Sequence, residues 1–124
     1  MAAPIRVVRP ADLVDADPTV GMRRQLAFAV EGLWVGLVHT DAGAVSGWHH
    51  HGEHDTGIYL LTGGMRLDFG AGGSTSVEAG PGDFVQVPPW VVHREANPGT
   101  ETATAVIARS GRGEPTVNVD GPES

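Results

Sequence analysis

Three consecutive histidines, His49, His50 and His51, are the residues of this chain best suited to chemistry, and His93 follows them downstream. Neutral imidazole is the most common metal ligand in proteins. Side chains alternate between the two faces of an extended segment, so His49 and His51 share one face while His50 points away. If His93 lies on a strand alongside, the pattern predicts a mononuclear metal site.

The rest of the chain predicts β-strands to position these histidines. Its 124 residues include 18 glycines and 9 prolines, and no long amphipathic helical pattern is present. Short apolar runs recur at roughly ten-residue spacing with turn signals between them, which is typical of a sandwich or barrel. Strands are expected over residues 23–28, 33–40, 45–51, 57–62, 65–69, 75–78, 84–88 and 102–109.

The chain length predicts one domain in three parts. Residues 1–20 are rich in proline and are expected to form an N-terminal arm with at most one short helical turn. Residues 21–110 should form the β-barrel domain. Residues 111–124 are polar and are expected to form a C-terminal tail, partly extended near residues 117–119.

Charge and cysteine content restrict the partner classes. Acidic residues outnumber basic ones 15 to 8, giving a formal net charge of −7. This balance argues against nucleic acid and anionic membranes as partners. The absence of cysteine leaves only nitrogen and oxygen as metal ligands. The chain has no apolar run of the kind found in secretory signals or membrane spans, so the expected location is the cytoplasm.

Two spaced motifs resemble those of the cupin superfamily. The first motif corresponds to Gly43, His49, His51 and Gly63, and the second to Gly82, Pro88, His93 and Asn97. The resemblance implies an all-β jelly-roll barrel of two facing antiparallel sheets. It also implies one divalent transition metal at the barrel mouth, bound by His49, His51 and His93, and assembly as a homodimer.

Two positions depart from these motifs. Trp90 stands where the second motif has a glycine, and Thr56 stands where the first has its glutamate at four-residue spacing. A three-residue spacing would instead select the carboxylate of Asp55. By alternation, Thr56 and Ile58 face inward while Asp55 points elsewhere. We therefore expect a three-histidine site with solvent in the open positions, and retain Asp55 and His54 as candidate fourth ligands.

Other side chains are assigned to the pocket or to the surface. The expected lining of the substrate pocket combines aromatic and inward-facing residues: Trp48, Thr56, Ile58, Phe84 and Trp90. Trp48 and Phe84 could alternatively pack in the core or at the rim. Arg94 and Glu95 are expected to form an ion pair at the surface.

The first functional hypothesis is a metal-dependent oxidoreductase. Three neutral imidazoles suit Fe, Ni, Cu, Mn or Zn, and open coordination positions are typical of catalytic sites. The resemblance implies a dioxygenase-like reaction on a small, metal-chelating organic substrate, by analogy with oxygen-using members. Metal-assisted isomerisation, cyclisation or decarboxylation remains open at the same site.

Two alternatives do not require catalysis. A non-catalytic cupin could bind a small molecule as a sensor or store. The histidine run could also be a solvated turn that binds no metal, although the second motif argues against this reading.

Overall fold

Two antiparallel sheets face each other and enclose the core. The computed structural model describes residues 3–122. Its strands are β1 (Val14–Thr19), β2 (Met22–Val30), β3 (Leu33–Thr40), β4 (His49–His50), β5 (Asp55–Thr62), β6 (Met65–Phe69), β7 (Thr75–Ala79), β8 (Phe84–Val87), β9 (His93–Ala96), β10 (Ala103–Ser110) and β11 (Val117–Asn118). Two 3-10 turns span Pro10–Asp12 and Ala71–Gly73.

The strand order confirms the predicted all-β jelly roll. A six-stranded sheet runs β1-β2-β3-β10-β5-β8, and a five-stranded sheet runs β11-β4-β9-β6-β7. Non-sequential neighbours such as β3 and β10 mean that the chain crosses between sheets rather than forming a simple meander. Within residues 3–122, no helix is long and apolar enough to cross a membrane.

Alternation along each strand separates the interior from the surface. β3 and β10 bury every second residue over most of their length. Burial of apolar side chains from both sheets supplies the main stabilising free energy. The core comprises Met22, Trp34, Val38, Ile58, Leu60, Met65, Leu67, Val87, Ala103, Ala105 and Ile107.

The N-terminal segment contains a strand that the sequence pattern did not indicate. β1 pairs antiparallel with β2 at the edge of the larger sheet, with an irregularity between Ala16 and Thr19. Pro18 lies within that irregularity, and an edge strand tolerates a proline that a central strand would not. The expectation of an arm with at most a helical turn therefore misses β1. The domain boundaries at residues 20 and 110 stay predictions.

The histidine-bearing strand is shorter than predicted. Instead of a strand over residues 45–51, the chain forms one isolated bridge between Val45 and Ala96, followed by the two-residue β4. The tail then returns along β4 as β11. Residues 1–2 and 123–124, which belong to the predicted arm and tail, lie outside the described residues.

Candidate metal centre

Three histidines meet inside the barrel. His49 on β4 and His93 on β9 are register partners, and His51 follows directly after β4. The ring centroids lie 4.4 Å apart for His49 and His93, 5.3 Å for His49 and His51, and 5.1 Å for His51 and His93. All three side chains are buried. His50 is half-buried on the other face, 5.6 Å from the Trp90 ring, as alternation predicted.

The orientation of each imidazole is fixed by a backbone carbonyl. The Nδ1 atoms of His49, His51 and His93 each lie 2.9 Å from a carbonyl oxygen, contributed respectively by Gly47, Pro115 and Val91. A carbonyl only accepts hydrogen bonds, so each Nδ1 carries a proton and donates it. In the neutral ring, Nε2 is then left with a free lone pair.

These lone pairs fit a metal ion. One ligand nitrogen from each histidine lies within 4.8 Å of the others. Within residues 3–122, the Nε2 atoms of His49 and His93 are buried without a hydrogen-bond partner. Ligating histidines commonly donate their second ring N–H to a carbonyl, as all three do here. The residues therefore suit a divalent transition ion.

Burial keeps two of the ligands neutral. It lowers the pKa of His51 to about 2, helped by the positive charge of Arg109. Burial also lowers the pKa of His93 to about 4, although the carboxylate of Glu95 acts in the opposite direction. Both imidazoles are consequently in the ligand form at neutral pH.

Glu95 is a site residue that the sequence reading placed wrongly. Its expected surface ion pair with Arg94 does not form, since Arg94 Nε binds Asp68 Oδ2 at 2.8 Å. Glu95 is buried instead, with Oε2 3.2 Å from His49 Nε2. Its burial would raise the pKa of the carboxyl, but contact with His49 and nearby positive charge hold that pKa below its usual range. The sequence feature that could have predicted this position is the two-residue spacing of Glu95 from His93, because residues two apart in a strand lie on the same face.

The position of the motif glutamate contains no carboxylate. Thr56 faces inward and is buried, and its Oγ1 has no hydrogen-bond partner. Asp55 is exposed at the start of β5. His54 is buried, but its Nδ1 donates to the His51 carbonyl at 2.7 Å. In the described part of the chain, neither His54 nor Asp55 belongs to the histidine cluster.

Two buried arginines also face the barrel interior. Arg109 on β10 is fully buried, and its guanidinium carbon lies 4.5 Å from the centre of the Trp34 ring. Arg24 on β2 donates from Nη1 to the carbonyl of Asp17 and to Thr19 Oγ1, each at 2.7 Å. Burial, reinforced by the charge of Arg24, lowers the pKa of Arg109 to about 9.

The pattern of each strand could have located both arginines. Arg109 continues the inward series Ala103, Ala105 and Ile107, and Arg24 is two residues from the buried Met22. Charge argued for the surface, since arginine is rarely buried without a partner. An arginine at a position that alternation places in the interior therefore indicates a buried guanidinium.

Sequence and structural comparisons place the chain among known proteins. Residues 36–109 match the family model of the Cupin domain. The chain belongs to the cupin family. A search of curated proteins finds no match to this cupin.

Three solved structures are similar to the cupin in fold. A double-stranded beta-helix protein from Klebsiella pneumoniae has a TM-score of 0.74 and 16% identity, covering 94% of this chain and 98% of that one. The polyketide cyclase RemF from Streptomyces resistomycificus has a TM-score of 0.73 and 18% identity, with coverage of 94% and 86%. KdgF from Halomonas sp. has a TM-score of 0.68 and 20% identity, with coverage of 86% and 96%. At these identities, the similarity shows the fold alone.

A small apolar cavity adjoins the cupin histidines. Its volume is about 160 Å³, and it reaches His93 between strands β6, β7 and β8. Most of its lining is apolar, including Leu67, Phe69, Val77, Val85, Val87 and Val91. A ligand reaching His93 from this side would therefore meet an apolar surface.

The predicted pocket residues lie in different environments. Ile58 is in the core beside the inward-facing Thr56. Trp48 is half-buried, with the Arg94 guanidinium 4.6 Å from its ring centre. Trp90 and Phe84 are 65% and 81% exposed. Phe84 packs on Tyr59, at 4.7 Å between ring centroids.

Proposed function

We propose that this cupin binds one divalent transition metal through His49, His51 and His93 and is a dioxygenase-like oxidoreductase. Its substrate would be a small organic molecule that chelates the ion. Fe, Ni, Cu, Mn and Zn are the candidate metals. The observation that carries the proposal is the carbonyl-anchored orientation of three buried imidazoles, whose ligand nitrogens converge within 4.8 Å.

An ion would satisfy atoms that the protein leaves without partners. Burying a polar atom without a hydrogen bond costs free energy, commonly about 1–3 kcal/mol. His49 Nε2 and His93 Nε2 are both in this state. Their carbonyl partners already fix the ring orientation, so little reorganisation is needed for metal binding.

The surrounding residues favour an anionic, chelating substrate. Thr56 supplies no carboxylate, so beside three imidazoles only the carboxylate of Glu95 would offset the positive charge of the ion. A bound ion would supply Lewis acidity and, for iron or copper, reactivity towards O₂. The apolar cavity beside His93 would receive the hydrocarbon part of the substrate and exclude water from it.

Metal content and oxygen uptake test the proposal together. Protein purified without a histidine tag should contain close to one transition-metal ion per chain. Anaerobic Fe(II)-loaded protein is then screened for O₂ uptake with catechols, flavonols, β-diketones and thiol acids. His93→Ala should abolish uptake while His50→Ala retains it. Protein that stays metal-free after incubation with all five candidate metals would refute the proposal.

Glu95 favours a second candidate, a metal-dependent isomerase or cyclase. Its carboxylate is buried next to His49, in a position from which it could accept a proton from an enolisable substrate. The name of RemF, a polyketide cyclase, is compatible with this chemistry on the same fold. Turnover under strictly anaerobic conditions would favour this candidate over the dioxygenase. Metabolite binding without any turnover would favour a sensory cupin.

The assembly and cellular location stay predictions. A homodimer would cover apolar side chains of the N-terminal segment that are exposed in the single chain, including Val7, Val14 and Val20. Light scattering on the wild type and on Val14→Lys would test this arrangement, with a dimer expected only for the wild type. The cytoplasmic location can be tested by fractionation of the source cells.

A further inference from the structure

We infer that Arg109 and Thr56 form a subsite for a carboxylate group of the substrate. The inference rests on the proposed function, because it names the substrate class of the same site. It assigns a role to two buried residues that the histidine centre does not use.

The first observation is that the guanidinium of Arg109 makes no hydrogen bond within residues 3–122. Nε, Nη1 and Nη2 are all buried, and none has a hydrogen-bond partner among the described residues. The carboxylate of Asp17 forms an ion pair with the guanidinium at 3.7 Å from Nη1, which is beyond hydrogen-bond distance, so the N–H donors stay available. Trp34 covers the guanidinium but accepts no conventional hydrogen bond. A guanidinium has five N–H donors in a planar fork, and a carboxylate matches that fork with two parallel bonds.

The second observation is the position of Thr56. Arg109 and Thr56 are register partners on β10 and β5, and both are buried on the interior side of the sheet. Thr56 Oγ1 also has no partner. A carboxylate between the two side chains could accept from the hydroxyl as well as from the guanidinium.

The cupin motif explains why this subsite could be free. Thr56 stands where the first motif has its glutamate, so the protein itself provides no carboxylate at this position. A carboxylate brought by the substrate would therefore take the place of the missing protein group.

The charge balance points in the same direction. Arg24 and Arg109 carry two positive charges, and Asp17 and Glu95 carry two negative ones. A divalent ion would make this group strongly positive in a poorly hydrated interior, where uncompensated charge is unfavourable. An anionic substrate group reduces that excess.

Small carboxylates provide the direct test. Acetate and oxalate are titrated into Zn(II)-loaded and metal-free protein, with acetamide and oxamide as uncharged counterparts, and binding is followed by calorimetry and tryptophan fluorescence. We expect the carboxylates to bind the Zn(II)-loaded wild type and the amides to bind at least about tenfold more weakly. Equal binding of the amides would overturn the inference.

Variants identify the residues responsible. Arg109→Met and Thr56→Glu should each weaken oxalate binding by about tenfold or more, the second because its own carboxylate would occupy the subsite. Arg94→Met is the matched control, since Arg94 also stacks on a tryptophan but at the exterior. Oxalate binding that is unchanged in Thr56→Glu would overturn the subsite even if Arg109→Met failed to fold.

Metal content separates this inference from the proposed function. A full complement of Zn(II) with no preference for carboxylates would overturn the subsite and leave the metal centre standing. Carboxylate binding that depends on Arg109 in a protein unable to bind any of the five metals would support the subsite and refute the metalloenzyme.

Discussion

Glu95 Oε2 and His49 Nε2 lie 3.2 Å apart, but their geometry does not make a hydrogen bond. The Gly47 carbonyl holds Nδ1 of His49, so Nε2 is the ring nitrogen that faces the carboxylate. A carboxylate at this distance adds negative charge at the point where the histidines would hold a cation. The contact therefore favours a positive ion beside His49.

Substituting Glu95 should weaken metal binding. Glu95→Gln preserves shape but removes the negative charge next to the histidines, and supporting residues of this kind commonly contribute 10–100-fold to affinity. We expect a loss of about that size in calorimetric titration with Zn(II). Glu78→Gln, on the exposed face of β7, serves as the control. Equal affinities for the wild type and Glu95→Gln would show that this charge is irrelevant to the ion.

Metal binding should stabilise the fold, and this effect should require the buried histidines but not His50. A ligand at 100 times its dissociation constant stabilises the native state by about 2.7 kcal/mol. Zn(II) should therefore raise the melting temperature of the wild type and His50→Ala, but not of His51→Ala. The measurement is a thermal melt with and without the metal. If His50→Ala lost the stabilisation by Zn(II) as His51→Ala does, this would contradict the observed orientation of residues 49–51.

Asp68 should make stability depend on pH in the acid range. Burial would raise its pKa, but hydrogen bonds from Arg94, Ser76 and Arg66 lower it from an ordinary 3.8 to about 2. A depressed carboxyl pKa stabilises the native state above the unfolded pKa, and this contribution is lost as the pH falls from about 4 to about 2.

The variant Asp68→Asn isolates this contribution. It should lower the free energy of unfolding at pH 7 by about 1–2 kcal/mol, with a smaller difference from the wild type at pH 3. Urea denaturation at both pH values measures this change. If the difference in free energy of unfolding between the two proteins grew as the pH falls, this would contradict a lowered pKa for Asp68.

Gly36 should resist even a single methyl group. A Cβ at this position would lie 2.1 Å from the Gln25 carbonyl oxygen and 2.9 Å from the Trp34 ring. Gly36→Ala should destabilise the fold by about 1–3 kcal/mol, because backbone and indole must both move. Gly57→Ala is a matched strand control, since its nearest neighbour would lie 3.9 Å away. Chemical denaturation compares them, and equal stabilities would contradict this packing.

Local patterns were sufficient to predict much of the fold and the histidine centre. Alternation assigned His49 and His51 to one face, and the spaced motifs added His93. Alternation also placed Thr56 and Ile58 inward, as observed. The assignments by alternation share one physical basis, because side-chain direction in a strand is fixed by position and not by polarity, whereas His93 came from the family resemblance.

The buried charges were not predicted, although the same alternation places them inward. Glu95 occupies an inward position but was expected at the surface, and Arg109 was assigned no role although it is fully buried. Burial of such groups depends on contacts between distant strands, such as His49 with Glu95, which local sequence does not specify. β1 was missed for a related reason, since Pro18 disfavours a strand unless an edge position is available.

The Pro115 carbonyl ties the histidine centre to the end of the chain. His49 and His93 are each held by a carbonyl two residues earlier, but His51 is held by one 64 residues later. Occupancy of the site and docking of the tail are consequently linked equilibria, and each must strengthen the other. Cleavage by a protease or amide exchange near Pro115 would thus report, at a distance, whether a metal ion is bound at the histidines.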